Sequence, residues 1–197
     1  MNRLALGCVL LLTLASGCDF GSRGSAASFA GVDISGADYG KELALTDHTG
    51  RARTLADFRG KVSIVFFGYT HCPDVCPTTL AELAQTLKLL GKQSASVQVL
   101  FVTLDPARDD AVLLARYVPS FDPTFLGLRG DDAATRAAAK SFRVFFEKQP
   151  GKNAQDYSLD HTAGMFVIDR EGRTRLFFNL GLRPEQMAAD LRLLVSQ

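Results

Sequence analysis

Cys72 and Cys76 sit four apart in Gly68-Tyr69-Thr70-His71-Cys72-Pro73-Asp74-Val75-Cys76-Pro77, directly after the apolar run Val62 to Phe67. Two sulfurs at that spacing can close a disulfide or grip one soft metal ion. The following Thr78-Thr79-Leu80-Ala81-Glu82-Leu83 reads as helix. That puts one thiol at the helix start and the other one turn further in, on the same face. Unpaired N–H groups and the positive helix end favour thiolate there.

The elements that must position this pair come from a chain of 197 residues, 47% hydrophobic and 22% charged, enough for one domain of good size. A net charge of +1 gives no electrostatic reason to bind nucleic acid or an anionic surface. Tryptophan is absent, and 14 Phe are available to fill a core.

The start of the chain reads as a targeting segment rather than fold. Arg3 precedes an apolar stretch, Leu4 to Leu14, too short to span a bilayer comfortably. Leu14-Ala15-Ser16-Gly17-Cys18 resembles a bacterial lipobox, with cleavage after Gly17 and lipid on Cys18. The expected organisation is a signal peptide over 1–17, a tether over 18–30 rich in Ser, Gly and Ala, and one domain over 31–197. Such a protein is exported and held at the periplasmic face of the inner membrane. With Cys8 removed and Cys18 lipidated, Cys72 and Cys76 are the remaining pair, so the fold is not a disulfide-stapled scaffold. Met165 and Met187 are the other sulfur atoms of the domain.

Between 31 and 58 lie short extended pieces, with Asp47-His48-Thr49-Gly50 as a hairpin turn. Val62 to Phe67 reads as a strand buried on both faces. Pro77 to Leu90 has apolar residues at helical spacing, and Gly91 ends it. Val97 to Leu104 is a second strand. Asp109 to Phe121 is a helix with Ala111, Leu114, Ala115 and Val118 inward. A short strand, Phe125 to Leu128, precedes a helix over Asp131 to Phe142, capped by Asp131 or Asp132. Glu147 to Asp156 is polar and reads as a mobile loop. Gly164 to Ile168 and Thr174 to Phe178 form a hairpin about Asp169-Arg170-Glu171-Gly172, and Pro184 to Val195 closes the chain as a helix. This order predicts an α/β, thioredoxin-like fold: a central mixed sheet flanked by helices, with an extended or hairpin extension at its N-terminus. The cysteines fall at the carboxyl end of the first central strand, where open α/β sheets place their sites.

His161 lies in Asp156-Tyr157-Ser158-Leu159-Asp160-His161-Thr162-Ala163-Gly164, just before the strand from Met165. In a thioredoxin-like layout that segment faces the cysteine turn. An imidazole there completes a set of two sulfurs and one nitrogen, which suits copper in either oxidation state and, on ligand grounds alone, zinc. Elsewhere a lone loop histidine only hydrogen-bonds locally.

The chain closely resembles the Sco/SenC family of copper proteins. The matching stretches are Phe67 to Pro77, then Val102-Thr103-Leu104-Asp105-Pro106-Ala107-Arg108-Asp109, then Asp156 to Thr162. Leu104 and Thr162 depart from commoner residues without touching a ligand position. The resemblance implies a membrane-tethered protein that binds one copper, Cu(I) or Cu(II), through Cys72, Cys76 and His161. It implies a role in maturing the dinuclear copper centre of cytochrome c oxidase, as copper donor, as reductant of the receiving cysteines, or both. Its partners are then the copper-bearing oxidase subunit, other periplasmic copper carriers and thiol reductants. Asp105 matches a family aspartate near the site that orients groups around the ligands, or else caps the turn beside Pro106; Asp160 is a second such residue.

The remaining candidates are plainer. His71 points away from its neighbour Cys72, His48 is a solvated turn residue, and Met165 faces the core. Two rival chemistries use the same pair: a metal-free thiol–disulfide oxidoreductase, with Cys72 and Cys76 as its redox pair, and a peroxiredoxin-like peroxidase. The first normally has its cysteines three apart and a proline before the hairpin strand, absent from Asp160-His161-Thr162-Ala163. The second lacks a clear activating set in Thr70 and Arg108.

Overall fold

The computed structural model describes residues 28–152 and 156–197. The expected signal peptide, the Cys18 expected to carry lipid and nearly all of the expected tether lie outside these residues. Among the described residues no helix is long and apolar enough to cross a membrane.

Strand β4 (Val62–Gly68) is buried at every position, as its unbroken apolar run predicts. It pairs in parallel with β5 (Val97–Thr103), which pairs in parallel with β6 (Leu126–Arg129). On its other side β4 runs antiparallel to β9 (Met165–Ile168), which turns back into β10 (Thr174–Phe178). The edges are β1 (Val32–Asp33) on β10, and the hairpin of β2 (Ala44–Asp47) and β3 (Ala52–Thr54) on β6. The order is β1-β10-β9-β4-β5-β6-β2-β3, a mixed sheet of eight strands.

Helix α1 (Val75–Leu90) packs on α4 (Pro184–Val195), while α2 (Ala111–Tyr117) lies against β6 and α3 (Asp132–Ser141) against β2. Leu80, Leu83, Leu87 and Leu90 form the buried stripe of α1, each side chain contributing about 1.5–3 kcal/mol. Phenylalanine does the packing that tryptophan does elsewhere: Phe66, Phe67, Phe101, Phe125, Phe142 and Phe178 are all fully buried. Asp131 is the cap of α3, accepting from the Ala134 amide at 2.7 Å.

Four expectations need correcting. Helix α1 begins two residues before Pro77, so Pro77 occupies its first turn, where a missing N–H costs nothing. Ala115 is exposed, because α2 is short and turns Leu114, Tyr117 and the following Val118 to the core instead. His48 is not simply solvated: its Nδ1 accepts from the Gly127 amide at 3.0 Å and ties the β2–β3 turn to β6. The polar stretch from Glu147 is strand as far as Pro150. Strands β7 (Phe146–Pro150) and β8 (Tyr157–His161) form a separate two-stranded ribbon, in register from Phe146↔His161 to Pro150↔Tyr157.

Candidate metal centre

The site forms where β4 ends. Gly68 is required there: a Cβ on it would lie 2.8 Å from the Cys76 sulfur and 2.9 Å from the Phe101 ring. Beyond it Tyr69 is buried, and the chain turns so that the Cys72 amide donates to the Tyr69 carbonyl at 3.3 Å. Cys72 therefore precedes the helix rather than opening it, and stays half-buried. Cys76 occupies the first turn of α1 and is wholly buried. Its amide, one of the donors a helix N-terminus leaves unpaired, points at the Cys72 sulfur at 3.4 Å.

The two thiols are free and sit in different surroundings. The expectation that the helix start favours thiolate at both positions fails at Cys76. Burial pushes that thiol well above the ordinary range, outweighing a hydrogen bond with the Tyr69 backbone.

His161 ends β8 and comes back over the pair. Its Nε2 lies 3.9 Å from the Cys76 sulfur, and its Nδ1 is 3.0 Å from the Thr162 carbonyl oxygen. A carbonyl can only accept, so this hydrogen bond assigns a hydrogen to Nδ1, and in the neutral ring the Nε2 lone pair then faces the sulfur. For an ion with bonds of about 2.3 Å to sulfur and 2.0 Å to nitrogen, two donors subtending 110–130° lie about 3.5–3.9 Å apart. The observed separation is at the top of that window. Among the described residues no three His, Cys, Asp or Glu side chains already converge on one point. The donors are near one another but not closed into a cage.

What lies around the donors was only partly foreseen. Tyr69 stands edge-on to the His161 ring, with centroids 6.2 Å apart, and its hydroxyl bonds to the Leu159 backbone. Asp109, a residue whose role its sequence neighbourhood does not reveal, is wholly buried. It accepts from the Thr70 amide at 3.0 Å, the Thr70 hydroxyl at 2.5 Å and the Thr103 hydroxyl at 2.6 Å, fastening the cysteine turn to the end of β5. Asp105 is buried and does not act as a side-chain cap: its carboxylate pairs with Arg108 and accepts from the Tyr157 hydroxyl at 2.6 Å. Burial, and then the bond to that carboxylate, push the Tyr157 hydroxyl up to about 12. Asp160 is exposed, and strand alternation turns it to the face of β8 opposite His161. His71 hydrogen-bonds with Thr70 and lies 3.7 Å from Asp109, while Met165 is buried in the core as expected. A cleft of about 710 Å³ opens beside the site, between Pro106, Arg136, Phe145 and Lys148, and contains none of the three donors.

Two solved structures share this architecture and a curated relative shares much of the sequence. A copper-bound Bradyrhizobium japonicum ScoI structure is 44% identical, with a TM-score of 0.74 over 80% of this chain and 99% of that one. Copper-bound yeast Sco1 is 32% identical, with a TM-score of 0.75 over 82% of this chain and 90% of that one. The human mitochondrial SCO2 homologue is 39% identical over 150 residues, 75% of this chain. The match spans 56% of that human protein, little more than half its length. The family profile described as SCO1/SenC matches residues 32–196, and the chain belongs to the SCO1/SenC family.

Proposed function

We propose that this protein binds one copper ion through Cys72, Cys76 and His161 and delivers it during assembly of the dinuclear copper centre of cytochrome c oxidase. The observation that carries the reading is the approach of His161 Nε2 to the Cys76 sulfur with its lone pair turned inward. Two sulfurs and an imidazole match the preference of copper in both oxidation states. Relatives at 44% and 32% identity whose structures contain copper support the same cargo. Copper is held as something to be passed on: the half-buried Cys72 is where a partner's thiolate can enter and begin ligand exchange. Loading displaces the Cys76 proton, so copper uptake and proton release are linked.

The lipobox-like Leu14 to Cys18 supports attachment of the domain to the outer face of the inner membrane, where it would meet the copper-bearing oxidase subunit. Mass analysis of membrane-purified protein tests this, because an unmodified Cys18 removes the anchor.

A second reading, reduction of a partner's disulfide, rests on the unequal exposure of the two thiols. The accessible Cys72 as thiolate attacks the partner disulfide and expels one partner thiolate, forming a mixed disulfide. Cys76, after losing its proton, attacks Cys72, releases the second partner thiolate and closes the Cys72–Cys76 disulfide. The partner gains two electrons and this chain loses two. Copper titration of the reduced domain with metal analysis, run beside a disulfide-reduction assay, separates the readings. Stoichiometric copper without turnover supports delivery, and turnover without copper binding supports reduction.

A further inference from the structure

The two halves of the centre come from chain segments that do not touch in sequence. Cys72 and Cys76 follow β4, whereas His161 ends a ribbon that is not part of the main sheet. Something must fix their separation. The connection between β5 and α2, residues 104–110, contacts both. Its Asp109 takes the Thr70 amide and hydroxyl, two residues before Cys72. Its Asp105 takes the Tyr157 hydroxyl, at the start of the strand that ends in His161. Arg108 of the same connection pairs with Asp105, donates to the Tyr157 carbonyl at 2.9 Å and lies 3.5 Å over the Tyr157 ring. Lys148 of β7 lies 4.6 Å from the same ring. Tyr157 is thus held by its hydroxyl, its ring and its backbone. It also shares a face of β8 with His161, four residues on.

We infer that residues 104–110 act as a register block: Tyr157, clamped by Asp105 and Arg108, is a positioning residue that sets how far His161 stands from the Cys76 sulfur. The inference rests on the copper-site reading for its consequence, but the clamp itself exists without metal. Arg108 also sits 5.8 Å over the Tyr69 ring, whose edge meets His161, so the block reaches the imidazole by two routes. Asp109 anchors the sulfur half through Thr70 and Thr103, and Thr103 Oγ1 also accepts from the Asp105 amide, so both anchors belong to one connected block.

The test compares wild type with Tyr157→Phe, which removes one hydroxyl and keeps the ring, and with Arg108→Lys, which keeps the charge and loses the planar fork. In metal-free protein, amide exchange of β8 should quicken about tenfold and the His161 ring resonances should shift, while exchange in β4 and β5 stays unchanged. Loaded with Cu(II), both variants should still take up one ion per chain but release it about 10-fold faster, with weakened nitrogen coupling in the electron spin resonance spectrum. A merely structural role would instead lower protection across the whole domain. Unchanged β8 exchange and unchanged His161 resonances in both variants overturn the inference. If wild type takes up no copper yet β8 loosens in the variants, the clamp stands and the copper reading falls. If copper binds and nothing at β8 or His161 responds, the reverse holds.

Discussion

His161 and Cys76 are separated by 85 residues and brought to 3.9 Å, imidazole nitrogen to sulfur, where the β7–β8 ribbon meets the end of β4. That contact joins a buried thiol that holds its proton to a ring whose lone pair faces it. Its chemistry and its cost to the fold can be tested separately.

Gly68 should tolerate no side chain. An added Cβ meets both the Cys76 sulfur and the Phe101 ring at under 3 Å, and both are fully buried. Gly68→Ala is expected to lose about 1–3 kcal/mol by overpacking, read from urea unfolding, and to weaken copper uptake because the sulfur is pushed off its position. An equally stable variant would mean that the sulfur has room to yield.

Gly164, between His161 and β9, has φ +144 and would place a Cβ 2.2 Å from the Phe177 ring. Gly164→Ala should therefore be destabilised by backbone strain and clash together, on the order of 2–4 kcal/mol. Denaturant unfolding beside Gly36→Ala, also at positive φ but with open space around its Cβ, isolates the clash.

Asp109→Ala strips three donors of their acceptor at once, two of them on Thr70. The expected loss is about 2–3 kcal/mol, with faster amide exchange at Thr70 itself. Thr70→Val removes only the hydroxyl and should cost less than half as much.

Stability should fall in alkaline solution in a way that depends on Cys76. In the unfolded chain the thiol ionises near pH 8.5, but burial holds it well above that in the fold. Below about pH 8.5 both states carry the proton and the group is neutral in the balance. Above it the unfolded chain releases a proton that the folded chain keeps, so stability declines by up to about 1.4 kcal/mol per pH unit. Urea unfolding at pH 7 and pH 9.5 under reducing conditions should show wild type losing about 1 kcal/mol more than Cys76→Ala. Equal losses would place Cys76 in contact with solvent.

How much of this could be read beforehand depended on whether burial left a pattern. Val62 to Phe67 and the leucines of α1 carry their environment in their spacing, and the structure places them as read. The family blocks pointed to Cys72, Cys76 and His161, and the structure brings His161 to the Cys76 sulfur. The β7–β8 ribbon gave no such signal, because Glu147, Lys148 and Gln149 pair across a ribbon that no sheet covers. What holds it is specific: Leu159 buried beneath, Arg136 over Phe146, and Tyr157 on Asp105. Asp109 was equally silent. An aspartate after a proline turn reads as a cap, and only the fold shows that its partners are Thr70 and Thr103, in two other segments. The raised Cys76 thiol escaped for a related reason: helix polarity is visible in sequence, and the depth of a side chain is not.

The most direct measurement is X-ray absorption at the copper edge of reduced, copper-loaded protein, wild type beside His161→Ala. One copper per chain with two sulfur neighbours and one nitrogen is expected, with loss of the imidazole nitrogen in the variant and both sulfurs retained. An identical copper environment in the two proteins would contradict this expectation.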